Sequence, residues 1–273
     1  MTIDSKAPIG VFDSGVGGIS VLAELITHLP NESYVYYGDS KNAPYGVRDT
    51  QEVQDLAFRV VDHLMAHRIK GLVVACNTAT SGAIEDLRRA LDIPIVGMEP
   101  ALKPAVALSD KGKILVMATP VTLREEKFNR LIKSMNKKRE IIKLPCPGLP
   151  EIVETTGGRG TEAKDYLENL FSNYNMQRVS AIVLGCTHYI FIKEKIANIV
   201  GGDVQIIDGN RGAAKQLKRL LKKHNIINQA EDKQYTEVLF LNSLNKDKAL
   251  LLSRELLEEQ LGYLNWKGNI RYI

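Results

Sequence analysis

Cysteine is scarce in this 273-residue chain: there are three, Cys76, Cys146 and Cys186, with no Cys-x-x-Cys pair. Three widely spaced thiols exclude a disulfide framework, and without the paired spacing neither a zinc knuckle nor a thioredoxin-type redox site is supported. No other metal-ligand spacing occurs, so no metal is expected. Long apolar runs are missing too. The longest uncharged stretches, 71–84 and 179–192, hold 14 residues each, against roughly 20 needed to cross a bilayer. A Walker loop fails for want of Gly-Lys-Ser/Thr. In Gly15-Val16-Gly17-Gly18-Ile19-Ser20 a serine stands where a dinucleotide turn wants its third glycine. The opening MTIDSKAPIG carries an acidic residue and no apolar h-region, so no secretory signal is visible and the cytoplasm is expected.

What is present describes a globular protein. The chain is 44% hydrophobic and 25% charged, and its apolar residues recur throughout, which excludes disorder. The net charge of +4 is unevenly spread: from Arg211 onward 12 basic residues face 7 acidic ones, against 24 and 25 before it. The excess centres on KQLKRLLKKH, Lys215 to His224. Leu217, Leu220 and Leu221 sit there at helical spacing, so the lysines read as the wet face of an amphipathic helix rather than a nucleic-acid footprint.

Short β-rich runs alternate with amphipathic ones. Strands are expected at Ile9–Phe12, Tyr34–Tyr37, Leu72–Ala75, Ile95–Val96, Ile114–Met117, Ile141–Leu144, Ala181–Leu184 and Val204–Ile207. The clearest helix is 50–68, with one stripe from Val53 through Leu56, Val60 and Leu64. Near-continuous apolar strands with helical crossovers predict an α/β protein with parallel sheets covered on both faces. Two segments repeat. VVACNT (73–78) matches IVLGCT (182–187), their cysteines 110 residues apart, and IGVFDSG (9–15) matches ILVMATP (114–120) at an offset of 105. Two similar α/β halves follow, each presenting a cysteine just past a strand's C-terminal end, where open α/β sheets bind ligands. If the halves face each other, Cys76 and Cys186 reach one cleft.

Cys76 precedes Asn77-Thr78-Ala79-Thr80, a natural helix start, and Cys186 precedes Thr187-His188. A thiol at the positive end of a helix is expected to have a lowered pKa and to favour thiolate. Cys146, in Leu-Pro-Cys-Pro-Gly, lacks that setting and is expected to be structural. Asp13 ends the first strand, where a carboxylate can bind a cationic group, and Ser14 with the following amides can receive a carboxylate. Asp39-Ser40 and Pro44-Tyr45-Gly46 follow the second strand and read either as a turn or as a pocket wall. His188 is a core histidine or a proton carrier beside Cys186. Glu154 reads no better than a surface carboxylate.

FDSGVGG, YYGDSKNAPYG, VVACNTAT and VLGCTHY, in this order, resemble the aspartate/glutamate racemase superfamily, and bacterial glutamate racemase within it, over about residues 8 to 210. The resemblance implies two α/β domains across a substrate cleft, 1–98 plus 208–273 and 99–207. It implies a cofactor-independent isomerase interconverting L- and D-glutamate for peptidoglycan synthesis, a homodimer with no nucleic-acid or membrane partner. The alternatives are another amino acid, such as aspartate, or a non-catalytic amino-acid-binding module. By the same resemblance Cys76 and Cys186 are the two bases and Asp13 and His188 assist them. Ser14, Pro44, Tyr45, Gly46, Asn77, Thr78 and Thr187 contact substrate, and Glu154 is a further acid near the site. The chain departs from the pattern at Ala43, where many members carry cysteine, and at Ile190, where proline is usual.

Overall fold

A computed structural model describes residues 4–108, 112–135, 139–230, 234–244 and 247–273. Ten strands are present among them: β1 (Ile9–Asp13), β2 (Ser33–Gly38), β3 (Gly71–Val74), β4 (Ile95–Gly97), β5 (Lys113–Ala118), β6 (Ile141–Pro145), β7 (Val179–Leu184), β8 (Gln205–Ile207), β9 (Thr236–Asn242) and β10 (Ile270–Tyr272). They form two all-parallel sheets, ordered β10-β9-β2-β1-β3-β4 and β6-β5-β7-β8. The order β6-β5-β7-β8 repeats β2-β1-β3-β4 strand for strand, so the matched sequence segments occupy matched places. β1 and β5 are central, and β3 and β7 are their neighbours on the same side.

The central strands carry the apolar runs because helices cover both faces. All five residues of β1 are buried. On one face packs the helix Thr50–Ala66, whose Val53, Leu56, Ala57, Val60, Val61 and Leu64 are buried. Asp49 starts this helix by accepting the Glu52 amide at 2.7 Å. It stops at Ala66, short of the expected 68, because Arg68 takes a left-handed φ of 55°. On the other face lie the helices Ile19–His28, Asn210–Lys223 and Asp247–Tyr263. In Asn210–Lys223, Ala213, Ala214, Leu217 and Leu221 turn inward while Lys215, Arg219, Lys222 and Lys223 face solvent. That is the solvated face expected from the spacing. The sequence reading missed β9 and β10, which widen the first sheet beyond β2. Among the described residues no helix is long and apolar enough to cross a membrane.

Candidate active site

Parallel strands put their C-terminal ends on one edge, and here the two edges face each other across a cavity. Its wall includes Ser14 after β1, Pro44, Tyr45 and Gly46 after β2, Cys76, Asn77 and Thr78 after β3, and Cys186, Thr187 and His188 after β7. The structure therefore brings together the residues singled out from both halves. Thr119, Pro150 and Gly185 complete the wall. Thr119 was not singled out, although the repeat carried the signal: ILVMATP laid on IGVFDSG sets Thr119 against Ser14.

The glycine loop after β1 is what lets the halves approach. A Cβ on Gly15 would overlap the Glu154 carboxylate, and one on Gly17 would overlap Thr187 and the His188 ring. These glycines make room for the opposite half rather than for a phosphate. Polar groups then bridge the gap. The Val16 amide donates to Glu154 Oε1 at 2.7 Å, and the Thr187 hydroxyl donates to Asp13 Oδ2 at 3.0 Å. Asp13 Oδ1 accepts the Gly15 amide at 3.0 Å. Fully buried, Asp13 has a pKa raised by desolvation, against the lowering influence of His188.

Cys76 caps the helix Asn77–Ala90, its sulfur accepting the Ala79 amide at 3.4 Å. The expected lowering of its pKa does not occur. Desolvation pushes the thiol up to about 12, the Asp13 carboxylate adds to it, and the amide hydrogen bond offsets only part. Burial removes the water that would solvate a thiolate, and one helix end does not replace it. Cys186 departs from its expected setting in another way. A 3₁₀ helix, Thr187–Ile192, follows it, and its sulfur receives no capping amide. Instead it lies 3.6 Å from His188 Nδ1, while His188 Nε2 lies 2.6 Å from Glu154 Oε1. Burial by itself would lower the His188 pKa, but the hydrogen bonds to Cys186 and Glu154 hold it well above its ordinary value. The His188 ring, one nitrogen against the thiol and the other against the carboxylate, bridges the two. Glu154 is thus no bystander on the surface: its carboxylate touches the loop of one half and the histidine of the other.

The remaining residues hold the walls in place. Asp39 Oδ2 accepts the Tyr45 hydroxyl at 2.6 Å, and the Asn42 amide group reaches both Asp39 oxygens at 3.0 Å. Ser40 accepts from Asn242 of β9 at 2.9 Å. The Pro44-Tyr45-Gly46 segment is therefore both turn and wall. Asn77 Oδ1 is buried and has no hydrogen-bond partner among the described residues. Cys146 is buried, donates to its neighbour Leu144 O at 3.3 Å, and is pushed up to about 12 by desolvation. Among the described residues no cluster of three or more His, Cys, Asp or Glu is able to hold a metal ion.

The sequence model of the Asp/Glu/hydantoin racemase family matches residues 9–217. A glutamate racemase of Clostridium acetobutylicum is 53% identical over 252 residues, which span 92% of this chain and 97% of that protein. Among solved structures, a glutamate racemase isoform from Bacillus anthracis has a TM-score of 0.81 at 29% identity, covering 98% of both chains. The glutamate racemase of Francisella tularensis, solved with D-glutamate, has a TM-score of 0.78 at 28% identity over 98% of both chains.

Proposed function

The chain belongs to the Asp/Glu/hydantoin racemase family as an amino-acid racemase of the glutamate racemase kind, and we propose that it interconverts L- and D-glutamate with Cys76 and Cys186 as its two bases. One observation carries this reading: two cysteines at equivalent strand ends of a repeated half-fold line one cavity from opposite halves. Inverting an α-carbon requires removal of a proton from one face and delivery of another to the opposite face. A single base tends to return the proton where it came from, whereas two thiols on facing walls do not.

For L-glutamate, Cys186 as thiolate takes the α-proton and Cys76, held neutral by burial, gives its own proton to the opposite face. The enzyme is left with Cys186 protonated and Cys76 as thiolate, the form that works on D-glutamate. The His188 ring, fixed by Glu154, lies beside Cys186 and passes protons at its sulfur. Asp13 faces the site from the side of Cys76, where it assists that thiol. The carbanion places charge on the substrate's α-carboxylate, which hydroxyls and amides of Ser14, Asn77, Thr78 and Thr187 stabilise in a cavity that excludes water. Asn77 Oδ1, without a partner among the described residues, accepts from the substrate ammonium. Pro44, Tyr45 and Gly46 close the wall around the side chain.

The same reading makes 1–98 with 208–273, and 99–207, two domains that part to admit substrate. The reaction proceeds without pyridoxal phosphate or a metal. The enzyme works as a cytoplasmic homodimer and supplies D-glutamate to peptidoglycan. The purified protein is incubated with L-glutamate in D2O, without cofactor and after exhaustive chelation. Loss of optical rotation together with exchange of the α-proton is expected. Turnover that depends on an added cofactor or metal overturns the two-thiol reading, and comparable kcat/KM for aspartate moves the substrate to the runner-up.

A further inference from the structure

Three threonine hydroxyls meet in a triangle at the edge of the cavity. Thr78 Oγ1 lies 3.0 Å from Thr119 Oγ1 and 3.2 Å from Thr122 Oγ1, and Thr119 and Thr122 are 3.0 Å apart. The triangle spans the cleft. Thr78 belongs to the helix after β3 in the first half, while Thr119 and Thr122 belong to the segment after β5 in the second. Thr78 and Thr119 line the cavity; Thr122 does not, and it is completely buried.

Proton counting assigns the members different roles. Each hydroxyl donates one proton and accepts up to two. Thr119 Oγ1 also accepts the Thr122 amide at 3.3 Å, which caps the helix Pro120–Arg124. Among the described residues the Thr122 hydroxyl touches only Thr78 and Thr119, so its single proton goes to one of them. With no ligand, three donors serve three acceptors and the ring closes on itself. When a carboxylate enters, Thr78 and Thr119 turn their protons toward it. Thr122 cannot, and its proton keeps the one hydrogen bond of the three that remains, holding Thr78 or Thr119 in place.

We propose that Thr122 is a positioning residue for racemisation: its hydroxyl orders Thr78 and Thr119, across the closed cleft, as paired donors to the substrate's α-carboxylate. This rests on the reading of the site as a glutamate racemase. Because Thr78 reaches its two partners only across the gap, the donor pair is complete only when the halves are closed. Its effect falls mainly on kcat, since charge on the carboxylate grows as the α-proton leaves and a polarised donor is worth more then than in the ground state.

The test compares Thr122→Val, which keeps the shape and removes the hydroxyl, with Thr122→Ser, which keeps the hydroxyl. Racemisation of L-glutamate is followed by circular dichroism, with Tm measured on each protein. Thr122→Val is expected to lose about ten- to a hundredfold in kcat with little change in KM and an unchanged pH profile, and Thr122→Ser to recover most of the loss. Thr80→Val serves as the structural control. The Thr80 hydroxyl is buried between Val74 O and the Met98 amide, outside the triangle, so its loss lowers Tm and leaves kcat in place. If Thr122→Val turns over like the parent, or if Thr122→Ser is as impaired as Thr122→Val, the proposal is wrong while the racemase reading stands. A parent protein that leaves L-glutamate untouched overturns both.

Discussion

In the first half, β3 delivers Cys76 to a helix N-terminus, with the Asp13 carboxylate nearby and no cation against the sulfur. In the second, β7 delivers Cys186 to a 3₁₀ turn, with the His188 ring 3.6 Å from the sulfur and Glu154 behind that ring. The backbone is repeated and the electrostatics are not. The residue that ends β1 is the acid Asp13, whereas the matched residue that ends β5 is Ala118; the residue two beyond Cys76 is Thr78, whereas the residue two beyond Cys186 is His188. One thiol is thereby pushed up by burial and the other lies beside a histidine whose pKa its neighbours raise. A reaction that needs one proton donor and one acceptor at the same moment is served by that difference, which two identical halves would not supply.

The comparison breaks most severely when either proposed base is removed. Serine is a far weaker base than thiolate, so Cys76→Ser and Cys186→Ser should each reduce racemisation by several orders of magnitude while folding normally. A substrate analogue with a leaving group at Cβ then separates the two faces, because elimination needs only the first proton removal. Cys76→Ser should still eliminate from the L-form and Cys186→Ser from the D-form, read as release of the leaving group. The opposite pattern would reverse the assignment of thiols to faces.

Removing the neighbours should sharpen the same contrast with smaller losses. His188→Asn is expected to slow elimination from the L-form by about a hundredfold or more and to affect the D-form less. Asp13→Asn should do the reverse. Equal losses on both enantiomers would mean that neither group is tied to one thiol.

Next in size is an effect on pH dependence. The His188 pKa is raised in the folded protein, so the stability it contributes is complete below about 6.5, its ordinary value, and is lost as pH rises through the folded one. Glu154→Gln removes one of the partners that raise it. The alkaline limb of kcat should move to lower pH, and stability should begin to decline at lower pH as well. A rate profile and a series of melting curves over the alkaline range check both. An unmoved limb would place the titration elsewhere.

The smallest effect is expected at the third cysteine. Cys146→Ser should leave kcat within about twofold and cost roughly 1 kcal/mol of stability, because the thiol is buried and donates to Leu144 O of the strand before it. Loss of racemisation here, with either other cysteine dispensable, would overturn the two-base assignment.

Much of this was readable in advance because it lies in local patterns. The apolar runs at 9–12 and 114–117 become central strands, and the stripe from Val53 to Leu64 becomes a helix face. The offset repeat places both cysteines at equivalent strand ends. β9 and β10 escaped notice because their alternating, half-buried residues carry a weaker signal than a strand covered on both faces. Thr119 escaped because a threonine in Ala-Thr-Pro looks like any helix cap until its cross-cleft partner Thr78 is in view.

The sequence by itself determined the α/β class, the doubling of the half-fold and the thiol at the end of each matched strand, since period and spacing act along the chain. Only the tertiary structure decided the surroundings of those thiols. The helix start after Cys76 argued for a lowered pKa, and burial raised it to about 12. Glu154 argued for nothing locally, and folding set it against His188 and the Val16 amide. Desolvation and Coulomb interaction depend on which groups, distant in sequence, exclude water from one another, and that is known only when the two halves have closed.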